Sequence, residues 1–459
     1  MFRRSISRRN FVQGAAAGAA LAVAAPTIIP SSALGDDKVA APSERLTLGF
    51  IGIGKQASGH LGALTGRKDT QTLAVCDIHK LRREFALDTV EKKYKDLERK
   101  GAKCDQYVNF HEVLARKDID AVVIGTPDHW HTIPIIEACK AKKDIYCEKP
   151  LTLTIHEAKT AIEVVRKYDR VFQTGSQQRS SGPFHAVVNF IQAGGLGKIK
   201  EVKVGIGHTS KPCDLPAMDA DPNVDFNVWL GQAPSRAYNE VLCRKGLPNS
   251  YPFNPGWRDY REYSGGYITD WGAHHFDITQ WALGMDHSGP NTILPPEKEG
   301  DEYGASFIYN TTPVGDNIKV THVNKVYEGE ATVVEKGKTV RKQVKESNGI
   351  LFIGEKGQIF VNRGYAVSEP GELYSPGEHS LKQTEHRENW LDCIKTREKP
   401  ICDVAIGAGS VTICHLVNLA YWHNRKLTWD PKTWEFPGDA EANGWRDRPR
   451  REPYILPEI

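Results

Sequence analysis

Short apolar runs alternate with helical-period segments through the first third of the chain. Leu46 to Ile51, Thr72 to Cys76 and Ala121 to Gly125 read as buried strands, the last bounded by Asp120 and Thr126-Pro127. Strands at 144–147 and 171–174 continue the series, with helical patterns near 58–65 and over 79–99, 131–141 and 154–168. This alternation with short connections predicts an α/β Rossmann-type doubly wound domain over 46–175. The pattern then changes. A helix at 183–193 and a strand from Ile199 to Gly207 precede a loop-rich stretch, 208–269, with many Pro, Asn, Trp and Tyr residues. A helix at 271–283, strand-like segments near 302–309, 317–323, 350–353 and 358–361, and helices at 385–396 and 405–424 come next. They predict an α+β domain over 176–424 with a largely antiparallel open sheet, and residues 425–459 read as a tail packing on the body.

The amino end is different in kind. Ser7-Arg8-Arg9-Asn10-Phe11-Val12 is a twin-arginine pattern, Ala15 to Ile29 is apolar, and Ser31-Ser32-Ala33 offers small residues for cleavage. Residues 1–33 therefore read as an address for the twin-arginine export machinery, cleaved or kept as an anchor, and 34–45 as a linker. No second long apolar run is expected, so no integral membrane contact is expected either. The formal charge of +3 comes from this segment, which holds four of the 60 basic residues and none of the 57 acidic ones. The remainder carries 56 basic against 57 acidic residues, which gives no electrostatic reason to expect nucleic acid as a partner. The nine cysteines lack paired zinc spacing, and Cys76, Cys139, Cys147 and Cys414 lie in apolar contexts as small buried hydrophobes.

Gly52-Ile53-Gly54-Lys55-Gln56-Ala57 closes the first strand as Gly-x-Gly-x-x-Ala. Gly52 permits a tight turn, Gly54 lets backbone approach a pyrophosphate, and Ala57 is small enough for close helix–strand packing. Asp77 ends the second strand, where a carboxylate accepts hydrogen bonds from the adenosine ribose of NAD; it also suits a helix cap. Lys80, Arg82 and Arg83 leave NADP possible if they point inward. Thr126, Pro127 and His131 come after the next strand at the sheet's carboxyl edge, with His131 either facing a nicotinamide or capping a helix. His129 and His131 without a third ligand make a poor metal pair, so no metal is expected.

Two segments carry candidate reaction chemistry. Cys147-Glu148-Lys149-Pro150 marks another strand end, where Lys149 can stabilise charge on a reacting oxygen and Glu148 can orient it or contact ribose. The alternative for Lys149 is an exposed surface lysine. Gly265 to Asp277 places Asp270, His274 and Asp277 at i, i+4 and i+7, which predicts one shared helix face. His274 is the acid/base candidate, Asp270 its tuner or a contact to a vicinal hydroxyl, and Asp277 a helix-fixing group. His60 and His275 are read as structural.

On these residues the chain resembles the glucose–fructose oxidoreductase / inositol dehydrogenase (Gfo/Idh/MocA) family over roughly 46–430. The Glu148-Lys149-Pro150 and Asp270-x-x-x-His274 segments match its motifs, and Gly265 to Asp277 is similar to its exported members. The resemblance implies Lys149, Asp270 and His274 as catalytic residues around a sugar or cyclitol hydroxyl, with NAD(P) as hydride acceptor. It implies a homodimer or homotetramer through the open sheet. Two departures are expected to be harmless: extra residues between Gly54 and its helix, and alanine at the third glycine position.

For the substrate, Trp229, Tyr251, Trp257, Arg258, Tyr260, Tyr263 and Trp271 offer aromatic and guanidinium faces, equally suited to a local core or a subunit interface. Arg179 and His185 are further substrate-side candidates. Export to the periplasm would separate the protein from an NAD pool, which requires a cofactor that does not exchange. Net sugar oxidoreduction then competes with redox-neutral hydrolysis or lysis by transient ring oxidation and elimination, with His274, His131 or Tyr263 as base.

Overall fold

The computed structural model describes residues 44–99, 101–248, 250, 256–335, 338–375 and 385–459. The export segment 1–33, most of the 34–45 linker and Tyr251 lie outside them. The first sheet contains β1 (Leu46–Ile51), β2 (Thr70–Cys76), β3 (Asp105–Tyr107), β4 (Ala121–Ile124), β5 (Asp144–Cys147) and β6 (Phe172–Thr174). Their order is β3-β2-β1-β4-β5-β6, and all neighbours are parallel. Every residue of β4 and β5 is buried, as strands covered by helices on both faces must be. Strand order reverses between β1 and β4, so a crevice opens beyond their carboxyl ends. β3 was not anticipated because Asp-Gln-Tyr has no apolar run and two of its three residues are exposed.

The second sheet is mixed and has eight strands. In chain order these are β7 (Ile199–Gly205), β8 (Thr292–Leu294), β9 (Ser306–Thr312), β10 (Gly315–Val323), β13 (Gly349–Gly354), β14 (Gln358–Val361), β15 (Ala366–Glu369) and β16 (Leu427–Thr428). Its order is β15-β14-β13-β7-β10-β9-β8-β16; β10 and β7 run parallel, and every other pair is antiparallel. A separate ribbon, β11 (Tyr327–Glu335) with β12 (Lys338–Glu346), was also unanticipated. Its strands are rich in Lys and Glu and pair across the ribbon, with Lys345 Nζ 3.0 Å from Glu328 Oε1, so hydrophobic periodicity does not announce them.

One face of the second sheet packs on the helices Gly182–Gln192, Gly272–Ala282 and Val404–His423, joining Phe184, Phe276, Phe307, Phe352 and Leu416 in one core. Val404–His423 is long and apolar enough to cross a bilayer, contrary to the expectation that no second such run exists. Its most apolar window is 78% buried, and a helix that is hydrophobic on all sides is also what a central core position selects. The helix His386–Thr396 returns to the first sheet, where Trp390 and Leu391 pack with Leu48, Phe50 and Tyr146.

Candidate active site

The carboxyl ends of β1, β2, β4, β5 and β6 open into a cleft of about 960 Å³, within the range of small-molecule sites. At its nucleotide half, Gly52 has φ +83°, and a Cβ there would approach Thr126 N to 2.7 Å. Only glycine takes this turn without strain. The helix Lys55–Thr65 starts directly after Gly54, so the extra residues expected before it are absent and its N–H groups face the cleft end of β1. A Cβ on Gly54 would meet nothing nearer than Gly125 O at 3.7 Å, which leaves its surface open to a ligand. Ala57 does not line the cleft; it is buried against Gly125, where it lets the helix pack close to β4. Asp77 lines the cleft, with Oδ2 accepting from Ile53 N at 2.7 Å and Oδ1 from His79 N at 2.8 Å. Asp77 therefore does not cap the helix Lys80–Asp96, whose N-cap is His79; its carboxylate fixes the turn before that helix while lying at the cleft wall.

The reactive half is built by side chains from remote segments. Lys149 Nζ donates to Asp270 Oδ1 at 2.7 Å and to Asp270 O at 2.9 Å. The expected single helix is broken: Tyr267–Asp270 and Gly272–Ala282 are separate, with Trp271 between them. His274 N donates to Trp271 O at 3.0 Å, and the Asp270 carbonyl turns to Lys149 instead. Asp270 and His274 still reach the same cleft, but Asp277 does not. Gly266 sets the entry into Tyr267–Asp270, because its φ is +74° and a Cβ would meet Ser210 N at 2.5 Å. Arg258 Nε donates to the same Asp270 Oδ1 at 2.9 Å. Burial alone would push the Asp270 carboxyl up, but Arg258 and Lys149 hold it well below the usual carboxylate range. Burial, reinforced by Lys149 and Arg363, pushes His274 well below its ordinary value, so the imidazole is neutral at pH 7. Its Nδ1 has no hydrogen-bond partner among the described residues, which suits a group that must accept or pass a proton. Glu148 lies at the cleft wall with Oε1 2.6 Å from His60 Nε2.

Trp257, Arg258 and Trp271 line the cleft as expected, and so does Trp229; Thr126 and Pro127 also lie at its wall. Other candidates are placed elsewhere. Arg179 is not a substrate contact: its side chain is 1% exposed and its guanidinium is divided between Asp277 and Asp286 at 2.7–3.1 Å. Tyr263 is fully buried against His129 and Trp229 in a local core, joined there by Tyr260. His131 does not face the cleft; Nδ1 lies 2.9 Å from Pro150 O and Nε2 3.0 Å from Thr126 O, so the ring ties the β4 turn to the β5 turn. His185 is occupied by Asn189 and Trp281. The proton-handling alternatives to His274 thus lose access to a substrate.

Four cleft features went unread in the sequence. Among the described residues Gln178 is buried with neither amide atom partnered, a condition shared by Oγ1 of Thr126, whose place at the cleft was expected. Leaving such groups unsatisfied costs about 1–3 kcal/mol each, which a ligand with polar edges would recover. Arg363, in the β14–β15 turn, lies over Trp271. Leu242, Cys243 and Arg244 of the long loop, and Pro453, Tyr454, Ile455 and Pro457 near the chain end, complete the wall. Gln178 had a positional signal, coming after β6 at the sheet's carboxyl edge; the others had none. The glycine cradle, the acid at the end of β2 and the orphaned Gln178 amide fit a nicotinamide dinucleotide. Among the described residues no three His, Cys, Asp or Glu side chains gather as a metal site.

Comparison with known proteins agrees with this geometry. Residues 46–176 match the oxidoreductase family, NAD-binding Rossmann fold, and 207–456 match the oxidoreductase family, C-terminal alpha/beta domain. The chain is 30% identical over 155 residues to an inositol 2-dehydrogenase of Salmonella typhimurium, covering 33% of this chain and 43% of that protein. It is 24% identical over 206 residues to a glycosyl hydrolase family 109 protein of Shewanella baltica, covering 42% and 44%. The matched stretches thus span less than half the length of these curated relatives. The WlbA dehydrogenase of Bordetella pertussis, solved with NADH and UDP-GlcNAcA, shares the fold with a TM-score of 0.55 at 17% identity, covering 84% of this chain and 98% of that one. The aldose-aldose oxidoreductase of Caulobacter crescentus does so at 0.51 and 15%, covering 84% and 99%. With one matched region over the dinucleotide fold and the other over most of the chain beyond it, the chain belongs to the Gfo/Idh/MocA oxidoreductase family.

Proposed function

We propose that the protein is an NAD(P)-dependent oxidoreductase acting on a ring hydroxyl of a sugar or cyclitol. The observation that carries this reading is the meeting of Lys149, Asp270 and neutral His274 at one end of a cleft whose other end holds Gly52, Gly54 and Asp77. The bound dinucleotide supplies the hydride acceptor. Lys149, held in place by Asp270, donates to the carbinol oxygen and stabilises charge there. His274 accepts the hydroxyl proton or relays it, and Arg258 keeps Asp270 ionised so that Lys149 stays positioned. Trp257 and Trp271 supply faces for the apolar side of a ring. NAD is the preferred cofactor because Asp77 disfavours a 2′-phosphate; Arg82 and Arg244 line the same cleft and keep NADP as the alternative.

The cofactor is retained rather than exchanged. Supporting this, the loop Leu242–Arg244 and the tail Pro453–Pro457 contribute to the cleft wall, and the tail is tied down. Arg450 pairs with buried Glu157 at 3.0 Å, Arg451 donates to Asn227 Oδ1 at 2.7 Å, and Tyr454 meets Trp130 edge-on at 5.5 Å. Retention suits a protein exported to the periplasm by the twin-arginine route, as the Ser7 to Val12 pattern suggests, and the open face of the second sheet suits a homodimer or homotetramer. A second reading is redox-neutral glycoside cleavage with retained NAD, favoured by the family 109 relative.

The test is to extract the nucleotide from purified protein, identify it by mass, and follow nicotinamide absorbance on adding sugars and cyclitols. Reduction by at least one of them, lost in K149M, is expected; bound nucleotide with no reduction by any would overturn oxidoreduction. Aryl glycosides that release aglycone without an added acceptor, and only while the nucleotide is bound, would establish the second reading.

A further inference from the structure

Arg363 lines the cleft from the turn between β14 and β15, and its guanidinium stacks on the Trp271 ring at 4.5 Å. Trp271 in turn meets the His274 ring edge-on at 5.9 Å, so the three form a continuous wall at the reactive end. Burial pushes the Arg363 guanidinium below its ordinary value, and the charge of Asp270 opposes that. That carboxylate is already engaged, by Lys149 at 2.7 Å and Arg258 at 2.9 Å. The other acids of the wall are also committed: Glu148 to His60 at 2.6 Å and Asp128 to the Ser264 hydroxyl at 2.6 Å. Asp77 belongs to the nucleotide half and takes two backbone N–H groups. Among the described residues Arg363 thus presents a guanidinium at the substrate end with no acid paired to it alone.

We propose that Arg363 receives an anionic substituent of the substrate, so that the preferred sugar carries a carboxylate, sulfate or phosphate group. The inference rests on the sugar-oxidoreductase reading and narrows its substrate class. A guanidinium offers paired planar donors that match such oxyanions, and stacking on Trp271 fixes its plane before the ligand arrives. A neutral sugar leaves the arginine facing water, whereas an acidic one gains a charge-assisted pair at the cleft mouth. The same stack sets the distance between the anionic group and the oxidised carbinol, since Trp271 lies one helical turn before His274 and meets its ring.

The experiment uses purified protein with its bound nucleotide and matched pairs: glucuronate against glucose, galacturonate against galactose, and glucose sulfate and phosphate esters. Binding is read by calorimetry and hydride transfer separately by nicotinamide absorbance. The acidic member of a pair should bind about 10–100-fold more tightly, the range of one hydrogen bond to a charged group. R363Q should erase that preference and R363K should keep part of it. A larger advantage for the uronates assigns a carboxylate, and a larger one for an ester assigns sulfate or phosphate. Equal or better binding of neutral sugars, failure of every sugar to bind, or a preference that survives R363Q overturns the proposal. Acid binding that depends on Arg363 without nicotinamide reduction would uphold this inference while sinking the oxidoreductase reading.

Discussion

Two buried ion clusters, only a few residues apart on the same stretch of chain, have opposite fates. Asp270 is gripped by Lys149 and Arg258 where the cleft opens, and Asp277 is gripped by Arg179 where it is sealed behind the helix Gly272–Ala282. In sequence each is an aspartate answering a distant cation. The difference lies in what surrounds the pair. The Lys149 side chain is 14% exposed and shares a wall with neutral His274, so a substrate oxygen can replace part of its coordination. Arg179 is 1% exposed, capped by Trp281 at 5.0 Å, and all three of its guanidinium nitrogens donate to Asp277 or Asp286. Ser410 adds a bond to Asp277 at 2.6 Å and ties in the core helix Val404–His423. Under the proposed function the first cluster can do chemistry because it is incomplete, and the second holds the fold because it is complete.

The sharpest way to break this contrast is R179M. It leaves Asp277 buried without its guanidinium and should lower the unfolding free energy by about 3–5 kcal/mol in a denaturant titration. A folded R179M of normal stability with altered substrate affinity would return Arg179 to the site. K149M should behave oppositely, because Arg258 remains on Asp270: near-normal stability and bound nucleotide, but hydride transfer reduced about 10²–10⁴-fold. Loss of the nucleotide in that variant would mean that Lys149 serves binding rather than chemistry.

A pH titration extends the comparison to the histidines. Burial pushes His129 down to about 3 and His275, His322, His386 and His415 down to about 4, from an ordinary 6.5. Each is neutral when folded and takes a proton more readily when unfolded. Stability is therefore full above pH 6.5 and falls as pH drops from 6.5 towards 4, by on the order of 3 kcal/mol per histidine at most. Thermal unfolding across that window reads the slope; a flat profile would contradict the burial. His274 should follow the same sign in catalysis, with the acid limb of kcat/KM lying below pH 6.5. The smallest effect is expected from D77S, which removes the acid while Arg82 and Arg244 stay at the cleft wall. Its affinity for NADP relative to NAD should rise about tenfold, measured by nucleotide titration after removal of the bound cofactor.

The glycine turn at Gly52, the acid at Asp77 and the strand ends at Thr126 and Lys149 were legible because a parallel strand writes itself as a short apolar run. The carboxyl end of such a strand is a fixed place for function. Lys149 is another strand-end residue, whereas Asp270 and His274 were singled out by helical spacing and family resemblance, and that spacing wrongly joined them in one helix. Arg179, Tyr263 and His131 were misread because a polar or aromatic residue at a strand end or in a loop looks alike whether it faces a cleft or a neighbour. Arg363 and Tyr454 carried no signal at all, being a turn residue and a tail residue.

The order of elements along the chain thus carried the architecture and placed Gly52, Asp77 and Lys149 at strand ends, because backbone periodicity and steric need for glycine are local. Which cations meet which aspartates, and which pair stays open to a ligand, was decided only in three dimensions. Lys149 and Asp270 are 121 residues apart, and burial is a property of everything packed around them. No local pattern encodes it.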